Sequence, residues 1–255
     1  MEFNGFQNRE QLLKVSNLAG WQLYEFGDVL YEDTKNATKI KKEDYLPNGK
    51  YPIVDQGQTY IAGYTNEDEG LYKDNPVIIF GDHTRIIKYI DFPIFIGADG
   101  VKLLRTKVDC NTKYIYYYLT SLILPDDGYS RHFKYLKQVI IPIPSIQTQH
   151  KIVQVLDKAQ ALIDKRKEQI KQCDELIQSL FYDMFGTMDI FKTKWEIKKL
   201  KDIANYHIGL TYKPSEICDD GIIVLRASNI QNGRIVLDDI VRVNKNIKSE
   251  LLVKK

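Results

Sequence analysis

Basic and amide side chains are concentrated in the predicted loops of the first half of the chain. Lysine and arginine neutralise phosphates, while glutamine and arginine can distinguish adenine and guanine edges in the major groove. Glycines among these loops let the backbone approach a phosphate closely. We therefore predict that the loops bind DNA. The predicted contacts are Lys41, Lys42, Gln56, Gln58, Tyr60, Tyr64, His83, Thr84, Arg85, Arg131, His132 and Lys134.

Arg85 is the strongest candidate for a base contact. It follows a run of buried character, and Thr84 and His83 stand beside it. The alternative is an internal ion pair with Asp82 or Asp99, because arginine often pairs within a protein. For each of the other predicted contacts, a solvated surface position is the alternative.

Residues for catalysis do not form a coherent set. The closest approach to the base-binding loop of an adenine methyltransferase is Asn75-Pro76-Val77, which lacks the second proline and the aromatic residue. No phosphate-binding loop of the Gly-x-x-x-x-Gly-Lys-Ser/Thr type occurs, and the four histidines lack metal-ligand spacing. Asp126 and Asp127 are better explained by a turn than by a metal site. We expect no catalytic residue, no metal and no cofactor.

The composition is that of an ordinary globular protein. Of 255 residues, 44% are hydrophobic, and 36 basic residues against 34 acidic ones give a net charge of +2. This balance neither favours nor excludes nucleic acid, since local patches matter more than the sum. Three scattered cysteines are typical of reduced thiols, and no apolar run is long enough to span a bilayer. We expect a cytoplasmic protein that does not associate with membranes.

The elements that must position the loops are short strands. Between Trp21 and Pro144, β-branched and aromatic runs alternate with turn residues. This pattern predicts a mainly β domain, with a helix over 9–15 before it and a second helix over 111–124 within it. The predicted strands are 51–54, 76–80, 86–90, 93–96, 101–104 and 139–141, the last ended by Pro142 and Pro144.

A long helix follows, from Thr148 to Phe185. Apolar residues recur at alternating steps of four and three, and only Arg166 interrupts them. Such a seam is typical of a coiled coil and requires a second helix to cover it, from this chain or another. The alternative is a helix that lies on its own globular domain. The predicted packing residues are Ile152, Leu156, Ala159, Ile163, Ile170, Ile177, Leu180 and Met184.

The chain begins the same module twice. The pattern Trp, aliphatic, apolar, Asp, aliphatic over 21–29 returns over 195–203, a spacing that fits one domain plus a connector. Strands over 222–225 and 234–237 are predicted in the second copy. The predicted fold class is α+β: a mixed, mainly β domain over 1–144, a coiled-coil-type helix over 145–186 and a partial second α+β domain over 187–255.

Together these features resemble the specificity subunit of type I restriction-modification systems. Four passages carry the resemblance: the repeated openings at Trp21 and Trp195, residues 81–85 (Gly-Asp-His-Thr-Arg), residues 136–144 leading into the long helix, and residues 225–230 (Leu-Arg-Ala-Ser-Asn-Ile). No single passage is specific, whereas their order around a central heptad helix is.

The resemblance implies two target-recognition domains, each reading half of a split DNA site. It implies that the helices set their spacing and dock methyltransferase subunits, which bring the restriction subunit. The expected partners are therefore double-stranded DNA and these subunits.

The short second copy departs from the family pattern. It fits a piece of a longer chain, a gene cut by frameshift or recombination, or a half-subunit that forms a homodimer through the helix. A coiled-coil scaffold with a protein-binding β domain is the alternative function, and an enzyme hidden in the β domain is a third.

Overall fold

The computed structural model describes residues 17, 20–97, 99–128, 130–186, 195–205, 209–231 and 233–244. The helix predicted over 9–15 lies outside them. The chain divides into two compact units, residues 1–172 and 173–255. Among the described helices, none is both long enough and apolar enough to cross a membrane.

Within its described residues, the first unit has ten short strands, three helices and the start of a long one. In chain order these are β1 (Gln22–Glu25), α1 (Phe26–Val29), β2 (Leu30–Glu32), β3 (Lys39–Ile40), β4 (Tyr51–Val54), β5 (Gly63–Thr65), β6 (Val77–Gly81), β7 (Ile87–Ile90), β8 (Phe95–Gly97), β9 (Val101–Thr106), α2 (Thr112–Thr120), α3 (Phe133–Leu136), β10 (Ile140–Ile143) and α4 (Ile146–Phe185).

The strands form two four-stranded sheets. One sheet is antiparallel with the order β2-β9-β6-β7. The other has the order β3-β8-β4-β5 and is mixed, because β8 runs parallel to both β3 and β4. Short loops connect strands at the ends of these sheets, and those loops carry most of the predicted contact residues.

Strand β6 lies between two hydrophobic cores and contributes side chains to both. Its side chains alternate, so Ile78 and Phe80 pack with the helices while Val77 and Ile79 pack against the second sheet. All five residues of β6 are buried, which explains the unbroken apolar run in the sequence. Each such side chain contributes about 1.5–3 kcal/mol on burial, so this strand fixes the position of the turn that follows it.

Helix α2 begins where Asn111 caps it. The Asn111 side chain accepts hydrogen bonds from the backbone amides of Lys113 (2.9 Å) and Tyr114 (3.2 Å). The helix ends at Thr120 rather than at residue 124 as predicted. Leu124 leaves the helical path and enters the core beside the helix, where it is 8% exposed.

The strand predicted to stop at Pro142 continues through it. Among the described strands, β10 pairs with β1 alone, with Pro142 opposite Leu23. A proline is tolerated there because a two-stranded edge does not require every amide to donate. The pairing joins the start of the domain to the segment that leads into the long helix.

Helix α4 is continuous over 40 residues, which corresponds to about 60 Å. Its first three turns are fixed to the first unit. Gln149 donates to the Pro144 carbonyl (2.9 Å) and accepts from the Asn111 amide (2.8 Å). Asp157 accepts hydrogen bonds from Tyr117 Oη (2.6 Å) and Lys113 Nζ (3.0 Å). From residue 158 to 184 every position is exposed.

The second unit contains α5 (Leu200–Ile203), β11 (Ile217–Val224), β12 (Ile230–Gln231), β13 (Arg234–Ile235) and β14 (Val241–Val243). β11 pairs antiparallel with β14, and β12 with β13. Strand β13 is shorter than the predicted 234–237.

The repeated module forms a four-residue helix in both copies, α1 and α5. Phe26 is 4% exposed in the first copy, whereas its counterpart Leu200 is 69% exposed.

Candidate nucleic-acid interface

Four loop segments meet at one end of the β6-containing sheet. They are residues 55–60, 82–85, 99–100 and 126–132 (apart from Tyr129), here called the loop cluster. Backbone hydrogen bonds join them: the Asp82 amide donates to the Gly100 carbonyl (2.7 Å), and the His132 amide donates to the Asp82 carbonyl (2.8 Å). The Asp82 carboxylate also accepts from the Phe133 amide (2.8 Å). The loops of the cluster are therefore held in fixed positions relative to one another at the ends of the two sheets.

Gln56 connects the first loop to the turn that carries Arg85. Its side-chain oxygen accepts a hydrogen bond from the His83 amide (3.2 Å), and its carbonyl accepts one from Thr84 Oγ1 (2.6 Å). Gly81 allows this approach, because a Cβ there would lie 2.2 Å from Thr84 Oγ1. The structure thus brings together Gln56, His83 and Thr84, which the sequence predicted separately.

Lys88 is a buried residue beside the loop cluster that the sequence prediction did not include. It lies on β7 with only 4% of its side chain exposed, and its Nζ donates to the carbonyls of Asp55 (2.8 Å) and Thr59 (2.6 Å). Burial lowers the pKa of the Lys88 ammonium, and the Asp55 carboxylate opposes that shift. The signal was present in the strand alternation, which places Lys88 on the same inward face as Ile90. Lys88 fixes the loop that presents Gln56 and Gln58.

Arg85 occupies an unusual backbone conformation, with φ at 62°. Its Nη2 donates to Asp126 Oδ2 at 2.8 Å. The ion-pair partner is therefore Asp126 and not Asp82 or Asp99, the alternatives considered from sequence. The Asp126 carboxylate is placed by a turn, in which its Oδ1 accepts from the Gly128 amide (3.1 Å).

The two histidines of the cluster differ in exposure. His132 is 0% exposed. Its Nδ1 donates to the Asp82 carbonyl (3.0 Å) and its Nε2 accepts from the Asp127 amide (3.4 Å), so the neutral Nδ1–H tautomer fits both bonds. His83 is half-buried, and its Nδ1 donates to the Ser130 carbonyl (3.1 Å). The His132 ring has no surface to offer to a ligand in this structure and serves to join two loops.

A cleft of about 380 Å³ opens beside the cluster, lined both by basic side chains and by the carboxylates of Glu32, Asp82 and Asp99. Arg131 lines it, together with Lys35 and Lys39, which the sequence prediction did not include. None of these three has an ion-pair partner among the described residues. Lys102, also on the cleft, pairs with Glu32 at 2.9 Å. Unpaired cations around a cleft are suited to bind phosphates.

Other predicted contacts lie outside this arrangement. Lys41 and Lys42 are exposed on a short turn, where Lys41 pairs with Glu43 at 3.5 Å. Tyr64 lies half-buried in β5. Among the described residues, none of these three side chains makes a hydrogen bond or ion pair to the loop cluster. Two further predicted contacts do belong with the loop cluster: Tyr60 ends its first segment and donates from Oη to the Tyr89 carbonyl, and Lys134 pairs with Asp127 of the cluster at 3.5 Å.

The predicted packing residues of α4 fall into two groups. Ile152 and Leu156 are half-buried where the helix is fixed to the first unit. Those beyond are exposed, and the exposed fraction of the large ones ranges from 49% at Ile163 to 71% at Met184. The first turns of α4 therefore pack on the first unit, and Phe185 in its last turn contacts the Trp195 ring, with 5.8 Å between ring centroids. Between these two contacts, an apolar face remains exposed from residue 158 to 184.

Comparisons with known proteins agree with this architecture. A family model described as the type I restriction modification DNA specificity domain matches residues 19–172. The chain is 33% identical over 150 residues to the EcoR124I/EcoR124II specificity subunit of Escherichia coli, covering 53% of this chain and 37% of that protein. It is 22% identical over 275 residues to the MjaVIII specificity subunit of Methanocaldococcus jannaschii, covering 94% and 62%.

A solved type I restriction-modification S subunit from M. genitalium has a similar fold. The TM-score is 0.50 at 17% identity, with 93% of this chain and 64% of that chain covered. The α+β class predicted from sequence is confirmed. In each of these comparisons, the chain covers less than two thirds of the relative's own length.

Proposed function

The chain belongs to the family of type I restriction-modification specificity proteins, and on that premise we propose that its first domain reads one half of a bipartite site in double-stranded DNA. The observation that carries this proposal is the loop cluster with its adjoining cleft, where Lys35, Lys39 and Arg131 have no ion-pair partner among the described residues. The cleft supplies cations for the phosphates, and the loops supply Gln56, Thr84 and Arg85 for base edges. Both kinds of contact are needed to position a protein on DNA and to read its sequence.

The salt dependence of DNA binding tests this function. Each phosphate contact steepens the fall of affinity with salt, and loss of one contact lowers the slope by about 1. We expect Lys39→Gln and Arg131→Gln each to reduce the slope, measured by fluorescence anisotropy with duplex DNA. Lys73→Gln is the matched control, because Lys73 is exposed at the opposite end of β6. An affinity for duplex DNA that does not fall as the salt concentration rises would contradict the phosphate contacts. It would favour the alternative function, a β domain that binds protein.

We propose further that the exposed face of α4 docks methyltransferase subunits, which bring the restriction subunit to the site. The support is a seam of apolar side chains that no described residue covers beyond position 158. In the absence of those subunits the same face would pair with a second copy, forming a homodimer. In this proposal the chain is non-catalytic and cytoplasmic. Turnover of a methyl donor by the isolated chain would contradict the proposal that it is non-catalytic.

A further inference from the structure

Arg85 and Asp126 form a pair whose two halves are both oriented by the backbone. Arg85 stands at the end of the β6–β7 turn, where its amide donates to the Gly81 carbonyl (2.8 Å). Its side chain is 31% exposed and that of Asp126 is 67% exposed. An ion pair this exposed contributes little to stability. Its geometry therefore points to a role other than holding the fold together.

The Asp126 carboxylate is fixed on both oxygens. Oδ1 accepts from the Gly128 amide and Oδ2 from the Arg85 guanidinium. The hydrogen bond from Arg85 is the main cause that lowers the pKa of Asp126, so the carboxylate is charged at neutral pH. A guanidinium has five N–H donors, and the contact of Arg85 with Asp126 uses only Nη2.

The buried His132 ring fixes the distance between the two loops. It donates to the carbonyl of Asp82, within the Arg85 turn, and accepts from the amide of Asp127, next to Asp126. The loops that carry the pair are therefore joined through one side chain with no exposed surface. Arg85 and Asp126 are set against each other before any ligand arrives.

We propose that Arg85 reads a guanine in the major groove and that Asp126 is the residue that positions it, an inference that rests on the proposed DNA-reading function. Guanine presents two acceptors there, O6 and N7, which match the parallel N–H groups of a guanidinium. Adenine presents a donor beside its acceptor, and arginine has no acceptor to meet it. A phosphate is a poor ligand, because the Asp126 charge would repel it, and Lys35, Lys39 and Arg131 serve phosphates instead.

A selection from random DNA tests the inference. The full chain is bound to duplex DNA with a randomised central segment, and the bound fraction is sequenced. We expect the wild-type chain to enrich a sequence that contains a guanine. Arg85→Ala should lower the preference at one guanine position by roughly tenfold. Asp126→Asn should lower it at the same position, while total affinity for the pool stays equal or rises because a negative charge is lost.

Asp68→Asn is the matched control, because Asp68 is an exposed carboxylate paired with Lys50. It should leave the enriched sequence unchanged. The inference is overturned if Asp126→Asn keeps the guanine preference, if it weakens all positions equally, or if Arg85→Ala affects no single guanine. Failure of the proposed function looks different, because the wild-type chain would then enrich no sequence at all.

Discussion

Arg85 is held in a backbone conformation that glycine adopts freely and arginine does not. A residue other than glycine in the left-handed region costs about 1–2 kcal/mol. The turn contains arginine nonetheless, and its side chain lies beside the residues that would face a base. In the proposed function, the strain at this position is offset by the side chain that it places for a base contact.

The cost can be measured by comparing two variants at this position. Arg85→Gly and Arg85→Ala remove the same ion pair with Asp126 and differ only in the Cβ atom. We expect the glycine variant to be more stable by about 1 kcal/mol, with both variants equally poor at selecting guanine. Urea denaturation of the two chains gives the difference. Equal free energies of unfolding would mean that the turn relaxes to another conformation.

At the scale of elements, strand β7 positions a loop that it does not contain. Lys88 reaches from β7 to the carbonyls of Asp55 and Thr59, on either side of Gln56 and Gln58. The loop between β4 and β5 is therefore held by a buried ammonium. In the proposed function, Lys88 positions Gln56 and Gln58 without contacting DNA itself.

Lys88→Met should separate the two roles that a lysine can have in a DNA-binding protein. Loss of the two buried hydrogen bonds should lower the free energy of unfolding by about 1–3 kcal/mol. Sequence discrimination should fall, while the salt slope stays unchanged because the buried Nζ neutralises no phosphate. Denaturation and the salt titration provide both readouts, with Lys73→Met as the exposed control. A slope reduced by the substitution would place Lys88 at the DNA instead.

Local pattern was enough to predict the framework and not enough to predict the site. The sequence predicted the bounds of β6, β9 and α4 to within a few residues. Buried strands and amphipathic helices leave a pattern of apolar residues at nearby sequence positions, so they can be recognised locally. The pairing of Arg85 with Asp126 depends on two loops meeting in space, which sequence spacing does not reveal. His132 was predicted as a contact because of its basic neighbours, and only the three-dimensional fold shows that it is buried.

At the scale of the whole molecule, α4 links the first unit to the second and exposes apolar side chains along the way. We expect Ile163→Lys combined with Ile170→Lys to leave the free energy of unfolding within about 0.5 kcal/mol, because both positions are exposed. The same variant should abolish self-association in sedimentation velocity and co-elution with the methyltransferase subunits. Lys158→Ala, off the seam, is the control.

A wild-type chain that stays strictly monomeric at micromolar concentration would contradict the homodimer. A double variant that still co-elutes with the methyltransferase subunits would contradict docking through this face.

Strand β6 lies between two cores and leads directly into the turn of Arg85. A repacking of either core would redirect the guanidinium, whereas an exposed position such as Gln58 can be exchanged with no change to the interior. The buried residues of β6 thus constrain the fold, whereas exposed loop residues can be substituted without disturbing it. In the proposed function, new target preferences arise by changing a few outward side chains while the fold stays the same.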